Sequence, residues 1–135
     1  MSPPEVADVV SVAEFRAALR RFLRRSERTA RKCGLTPQRY LLLLMIKGAR
    51  DGSERSTVTE LAERLQLAQS TVTELVRRAE EVGLVQREQS AEDGRVAFLR
   101  LTPEGEDRLH RAFVGLEAER QQLREAVLRA AADIS

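Results

Sequence analysis

One cysteine, one histidine and one tyrosine among 135 residues leave little material for side-chain chemistry. With Cys33 alone an intrachain disulfide is impossible, and a reducing cytosol is the expected compartment. His110 falls mid-helix beside an apolar seam, so a Ser/His/Asp or Cys/His constellation would centre on a residue suited to packing or to the surface. One His with one Cys also falls short of a zinc ligand set, and no phosphate-binding glycine loop occurs. Catalysis, metal sensing and a bound cofactor are therefore not expected. No apolar stretch nears the ~20 residues that span a bilayer. The opening Met1-Ser2-Pro3-Pro4-Glu5 lacks the basic and apolar regions of a secretory signal. No membrane partner is expected.

What is present suits a single helical domain. Hydrophobic residues make up 42% of the chain and charged ones 33%, which favours a packed soluble fold over disorder. The formal net charge is only +2, but its distribution is uneven. Residues 1–52 carry 11 basic and 5 acidic side chains, residues 53–101 carry 7 and 9, and residues 102–135 carry 5 and 7.

The densest pattern lies at Ser70–Leu84. At 100° per residue Val72, Leu75, Val76, Ala79 and Val82 share one arc, and Ser70, Thr73, Glu74, Arg77 and Glu81 the opposite one. Gly83 is placed to end this helix. Its opening repeats an earlier stretch letter for letter: Ser56-Thr57-Val58-Thr59-Glu60-Leu61 and Ser70-Thr71-Val72-Thr73-Glu74-Leu75. Thr57 with Glu60, and Thr71 with Glu74, both read as capping boxes. Two helices are thus expected, joined around Gln66-Leu67-Ala68-Gln69. They form either a helix-turn-helix or an ordinary helical hairpin.

The following residues favour the first. Residues 84–88 read as a strand, 89–94 as a turn containing Asp93-Gly94, and 95–101 as a second strand. Thr102 then caps a helix opened by Pro103. A helix-turn-helix followed by a β-hairpin is a winged helix-turn-helix. Upstream, Val9–Arg31 forms a helix with Val12, Phe15, Leu19, Phe22 and Leu23 on one stripe and seven arginines over the rest. Their mutual repulsion calls for an acidic partner surface or phosphates, or else for a solvated face. Thr36 and Pro37 open a helix whose run Leu41–Ile46 is expected to be buried on several sides. From Pro103 onward, Leu109, Phe113, Leu116, Leu123, Val127, Ala130 and Ile134 recur near a 3.5-residue period, as in a long helix packed against another. With no evident break, this segment is read as a single or shortened element. Dimerisation is its economical explanation.

Taken together these stretches resemble the MarR family of bacterial transcriptional regulators. The resemblance rests on Leu35-Thr36-Pro37-Gln38-Arg39-Tyr40 with Leu42-Leu43, on Leu61-Ala62 with Leu65, and on Ser70-Thr71-Val72-Thr73. It continues through Gly83-Leu84-Val85 with Arg87, Asp93 with Arg95, and Leu101-Thr102 with Gly105. It implies a mainly α fold with a small β-hairpin wing: a winged helix-turn-helix (36–101) flanked by N- and C-terminal dimerisation helices (9–33 and 103–135) in one domain, 1–135. It further implies a homodimer on a pseudo-palindromic double-stranded DNA site, acting as a repressor.

Gln69, Ser70, Thr71 and Thr73 suit phosphate anchoring and base-edge contact, Arg77 suits guanine, and Glu74 suits cytosine N4 if it is not capping the helix. Arg78 is either a phosphate contact or a salt bridge within the domain. The family's wing motif carries Arg95 to the minor groove, with Asp93 bracing the turn. The resemblance also implies release by a small aromatic or phenolic ligand in a cleft between the dimerisation helices and the winged region. Phe15, Phe22 and Tyr40 line that cleft or serve as core. Two alternatives stay open. The acidic balance of residues 53–101 would suit a winged module that binds protein rather than DNA, and Cys33, beside Arg31 and Lys32, would suit redox sensing.

Overall fold

The computed structural model describes the backbone of residues 1–134 and side chains through Ala132; the side chain of Ile134, the last member of the expected seam, and Ser135 lie outside the described residues. The chain order is α1 (Val6–Lys32), α2 (Pro37–Lys47), β1 (Arg55–Ser56), α3 (Val58–Leu65), α4 (Gln69–Glu81), β2 (Val85–Gln89), β3 (Ala97–Leu101), α5 (Pro103–Gly115) and α6 (Glu117–Ile134). It divides into two compact units: residues 30–111, and the two chain ends, 1–29 with 112–135.

The first of these is the winged helix-turn-helix. Thr36 Oγ1 accepts the Arg39 N–H at 3.1 Å, and Pro37 occupies the first turn of α2, as its fixed φ allows. The apolar run on α2 is the centre of the unit: Leu42, Leu43 and Ile46 are fully buried, together with Leu61, Val72, Val76, Leu84 and Leu99. Leu41, by contrast, is exposed. Polar contacts tie the periphery of α2 down. Arg64 on α3 donates to the Met45 and Gly48 carbonyls at 3.1 and 3.0 Å. Lys47 Nζ lies 2.9 Å from both Glu54 and Glu106, which raises its pKa.

The wing is a three-stranded antiparallel sheet, ordered β1-β3-β2, rather than the two-stranded hairpin read from the sequence. The third strand, β1, pairs Arg55 with Arg100 and Ser56 with Leu99. In the main hairpin Val85 pairs with Leu101 and Gln89 with Ala97, so Val85, Leu99 and Leu101 share the buried face. Gly83, at φ +75°, closes α4 into β2, and the Leu84 N–H bonds back to the Ala79 carbonyl at 2.9 Å. Val82 belongs to this cap and is exposed, not on the buried arc expected of it.

Thr102 fastens the far end of the wing. Its hydroxyl donates to the Gly83 carbonyl at 2.6 Å and accepts the Gly105 N–H at 3.1 Å. Gly105 lies against the Leu84 backbone so closely that a Cβ there would sit 2.2 Å from the Leu84 oxygen.

In the terminal unit α1 starts at Val6, three residues ahead of the sequence expectation, because the Glu5 carbonyl accepts the Asp8 and Val9 N–H groups at 3.1 and 3.2 Å. Arg25 donates to Gln122 of α6 at 3.3 Å. The C-terminal segment is not one helix. It breaks at Leu116, directly after Gly115, a residue of low helix propensity that the sequence reading passed over. Arg120 bridges the break: its guanidinium stacks 3.7 Å above the Phe113 ring and donates to the Phe113 carbonyl. Ala112, Leu116 and Ala126 are buried, whereas Phe113, Val114, Val127 and Leu128 are exposed. The 3.5-residue seam is therefore split between intrachain packing and open surface. None of the seven α1 arginines forms an ion pair among the described residues.

Candidate nucleic-acid interface

Helix α4 is positioned by the turn before it. Gln66 adopts the left-handed conformation (φ 56°) and the Leu67 N–H returns to the Ala62 carbonyl at 3.1 Å, closing α3. The chain then enters α4 at Gln69, with Ala68 at the N-cap and no side-chain cap bond. The duplicated hexapeptide thus takes two frames. In its first copy Thr57 is the N-cap, because the preceding Arg55–Ser56 is extended in β1. Thr57 Oγ1 accepts the Glu60 N–H at 3.2 Å, and Glu60 accepts the Thr57 N–H at 3.1 Å. In its second copy the tight Gln66 turn lets the helix start two residues before Thr71, which already lies inside the first turn. The expected Thr71–Glu74 capping box does not form.

Freed from capping, Glu74 pairs with arginines. Its carboxylate accepts from Arg77 Nε at 2.9 Å, from Arg77 Nη2, and from Arg78 Nε at 3.0 Å. The remaining nitrogen of Arg77, Nη1, donates to Glu81. The hydrogen bonds from Arg77, and then those from Arg78, lower the Glu74 pKa to about 2, while Glu74 raises that of Arg77. Arg78 takes the salt-bridge role of its two sequence readings.

Gln69, Ser70, Thr71 and Thr73 are exposed along the start of the helix, while Val72, Val76 and Ala79 hold it to the core and Leu75 is half-buried. An open groove beside this start is lined by Gln38, Ser70, Thr71, Glu74, Leu75 and Arg78. Gln38 was absent from the sequence-derived set, although its place right after Thr36-Pro37 puts it on the first turn of α2.

Arg95 stands at the wing tip with 93% of its side chain exposed. Asp93 braces the turn as expected: its Oδ1 accepts the Arg95 backbone N–H at 3.0 Å. At the base of the wing Glu88 bridges Arg55 at 3.2 Å and Arg100 at 3.0 Å, which lowers its pKa, and Arg55 stacks on Phe98 at 4.1 Å. Glu80 receives Arg87 at 3.1 Å. Most of the acidic side chains of residues 53–101 stand in such pairs. Glu74, Glu80, Glu81 and Glu88 all face arginines, and at the wing tip the Arg95 Nε lies 3.4 Å from Asp93, beside the exposed Glu92.

The remaining candidates lie elsewhere. Tyr40 is buried in the winged unit, whereas Phe15 and Phe22 are half-buried and line shallow grooves between α1 and α6 in the terminal unit. Cys33 is part-exposed just past the end of α1.

Comparison with known proteins places this architecture. A family model described as MarR family matches residues 34–96. HTH-type transcriptional repressor MdtR of Bacillus subtilis is 34% identical over 87 residues, 64% of this chain and 54% of the relative. The chain spans about half the length of the curated relatives it matches. Among solved structures, a MarR family transcription regulator superposes with TM-score 0.70 at 20% identity, covering 93% of this chain and 91% of the other. A mutant MarR from E. coli complexed with operator DNA superposes with TM-score 0.66 at 19% identity, covering 80% and 75%. At these identities the superpositions establish the winged-helix fold.

Proposed function

We propose that the chain, whose residues 34–96 match the MarR family model, is a MarR-family transcriptional regulator, a repressor that binds double-stranded DNA sequence-specifically as a homodimer. One observation carries the reading. A helix braced on its inner side by Val72, Val76 and Ala79 presents Gln69, Ser70, Thr71 and Thr73 outward, beside a wing whose tip arginine, Arg95, is 93% exposed. Short neutral side chains at the start of a helix suit base edges in a major groove, and an exposed arginine on a braced turn suits the adjacent minor groove. The E. coli relative bound to operator DNA and the repressor name of MdtR support the same reading.

In a two-fold dimer, two such helices meet successive major grooves about 34 Å apart and require a pseudo-palindromic site. The exposed Phe113, Val114, Val127 and Leu128 supply apolar surface for that pairing. The proposal extends to release by a small aromatic acid. Phe22 supports this, since it shares a groove with Arg21, Arg25 and Arg129, which outnumber Glu119 and Glu125 in the same lining.

The test is a salt titration of duplex binding. The parent chain should bind short duplexes with affinity falling steeply as salt rises. Arg95→Ala should weaken binding roughly 5- to 100-fold, the range of one good groove contact. Negligible binding of random and promoter-derived duplexes alike at low salt would replace this reading with that of a protein-binding module.

A further inference from the structure

We infer that Glu74 sets the balance between sequence reading and indiscriminate phosphate binding, by withholding Arg77 and Arg78 from the DNA backbone. The inference rests on the DNA-binding reading above and assigns one residue its part in it.

Glu74 takes both Nε and Nη2 of Arg77 and the Nε of Arg78, while Arg77 Nη1 is turned to Glu81. Every nitrogen of the Arg77 guanidinium is thus engaged on the helix itself. Paired Arg–carboxylate forks of this kind are among the stronger hydrogen-bonded contacts a surface offers. Two arginines and two glutamates cancel within two turns, although Arg77 and Arg78 are 54% and 61% exposed.

A duplex approaching α4 therefore meets neutral hydrogen-bonding groups at the helix start and, behind them, one arginine with all three nitrogens engaged and a second tethered through its Nε. Phosphate contacts raise affinity for all sequences alike, whereas base-edge contacts discriminate. Holding two arginines back suppresses the first without touching the second. The same geometry argues against Glu74 as a reader of cytosine, because three N–H donors already occupy its two oxygens. Glu74 acts here as a positioning residue.

The experiment compares salt titrations of the full chain on two duplexes, one of random sequence and one recovered by selection with the parent protein. Glu74→Gln should tighten random-duplex binding roughly 3- to 10-fold near 0.1 M salt and steepen the slope of log K against log salt by about 1 to 2, as one or two added phosphate contacts would. The ratio of selected to random affinity should fall. Adding Arg77→Ala and Arg78→Ala to Glu74→Gln should return the slope to the parent value. Glu63→Gln, which removes the same charge from α3, should leave it there. As a measurement independent of that variant, Arg77→Ala with Arg78→Ala in the parent should barely change the random-duplex slope.

An unchanged random-duplex slope in folded Glu74→Gln, or a slope flattened by about 2 in the parent double variant, would overturn the inference while leaving DNA binding intact. If the parent binds neither duplex, the underlying reading fails and this inference falls with it.

Discussion

Glu60 and Glu74 hold the same place in a repeated hexapeptide and do opposite things. Glu60 closes a capping box with Thr57, whereas Glu74 grips two arginines, because a left-handed Gln66 starts the second helix early. The stability consequences should differ accordingly. Thr57→Ala should cost about 1 kcal/mol, as loss of an N-cap does. Thr71→Ala should stay within about 0.5 kcal/mol, as a surface change away from any cap does. Urea denaturation of the two variants checks this, and equal losses would mean that both frames are caps.

The Glu74 carboxyl, with its pKa lowered from 4.5 to about 2, makes a contribution to stability that is fully present above about pH 4.5 and is lost only as pH falls toward 2. An NMR titration should find its midpoint near 2, and the Arg77–Glu74–Arg78 cluster should persist unchanged from pH 5 to 8. At this scale the residue types were legible in the sequence. The frame of the second copy was not, since Thr-x-x-Glu fits a helix start and a first turn equally well and only the preceding turn decides between them.

At the scale of elements, the wing depends on a close backbone approach. Gly105→Ala would drive a Cβ to 2.2 Å from the Leu84 carbonyl oxygen, which also accepts the Thr102 N–H at 3.0 Å. Overpacking of this kind should cost about 1–3 kcal/mol and lower the melting temperature. A melting temperature equal to the parent's would show that the junction yields freely. The Leu101-Thr102 and Gly105 pattern visible in the sequence thus has a structural cause: it welds the end of β3 and the start of α5 to the turn after α4.

The α4 helix and the β2–β3 hairpin were also legible, from period and turn chemistry. Strand β1 was not, because two residues, Arg55 and Ser56, carry no period and become a strand only by pairing with Arg100 and Leu99. The break between α5 and α6 had a signal in Gly115, overshadowed by an apolar repeat that continues across it.

At the scale of the molecule, the same repeat mixes two kinds of burial that one sequence cannot separate. Leu116 is fully buried within the single chain, while Phe113 and Val127 remain 46% and 42% exposed, and Leu128, next to the repeat, 62%. Leu116→Asp would therefore act on folding, and a test of self-association belongs at the exposed positions. Val127→Asp with Leu128→Asp should convert a dimer to a folded monomer in sedimentation equilibrium with the helical circular dichroism retained. A parent chain that sediments as a monomer would remove the homodimer from the proposal. Among the described residues no helix is long and apolar enough to cross a membrane, in line with the absence of long apolar runs.

The central claim is that the outward side chains of α4, presented in duplicate, read a two-fold site. It is tested most directly by incubating the full chain with a random pool of duplexes and sequencing what it retains. Enrichment of two inverted half-sites with centres about 10 base pairs apart, lost when Thr71 and Thr73 are replaced together by Ala, is the predicted result. Retained duplexes that share no motif, or a motif unaffected by that double replacement, would contradict it.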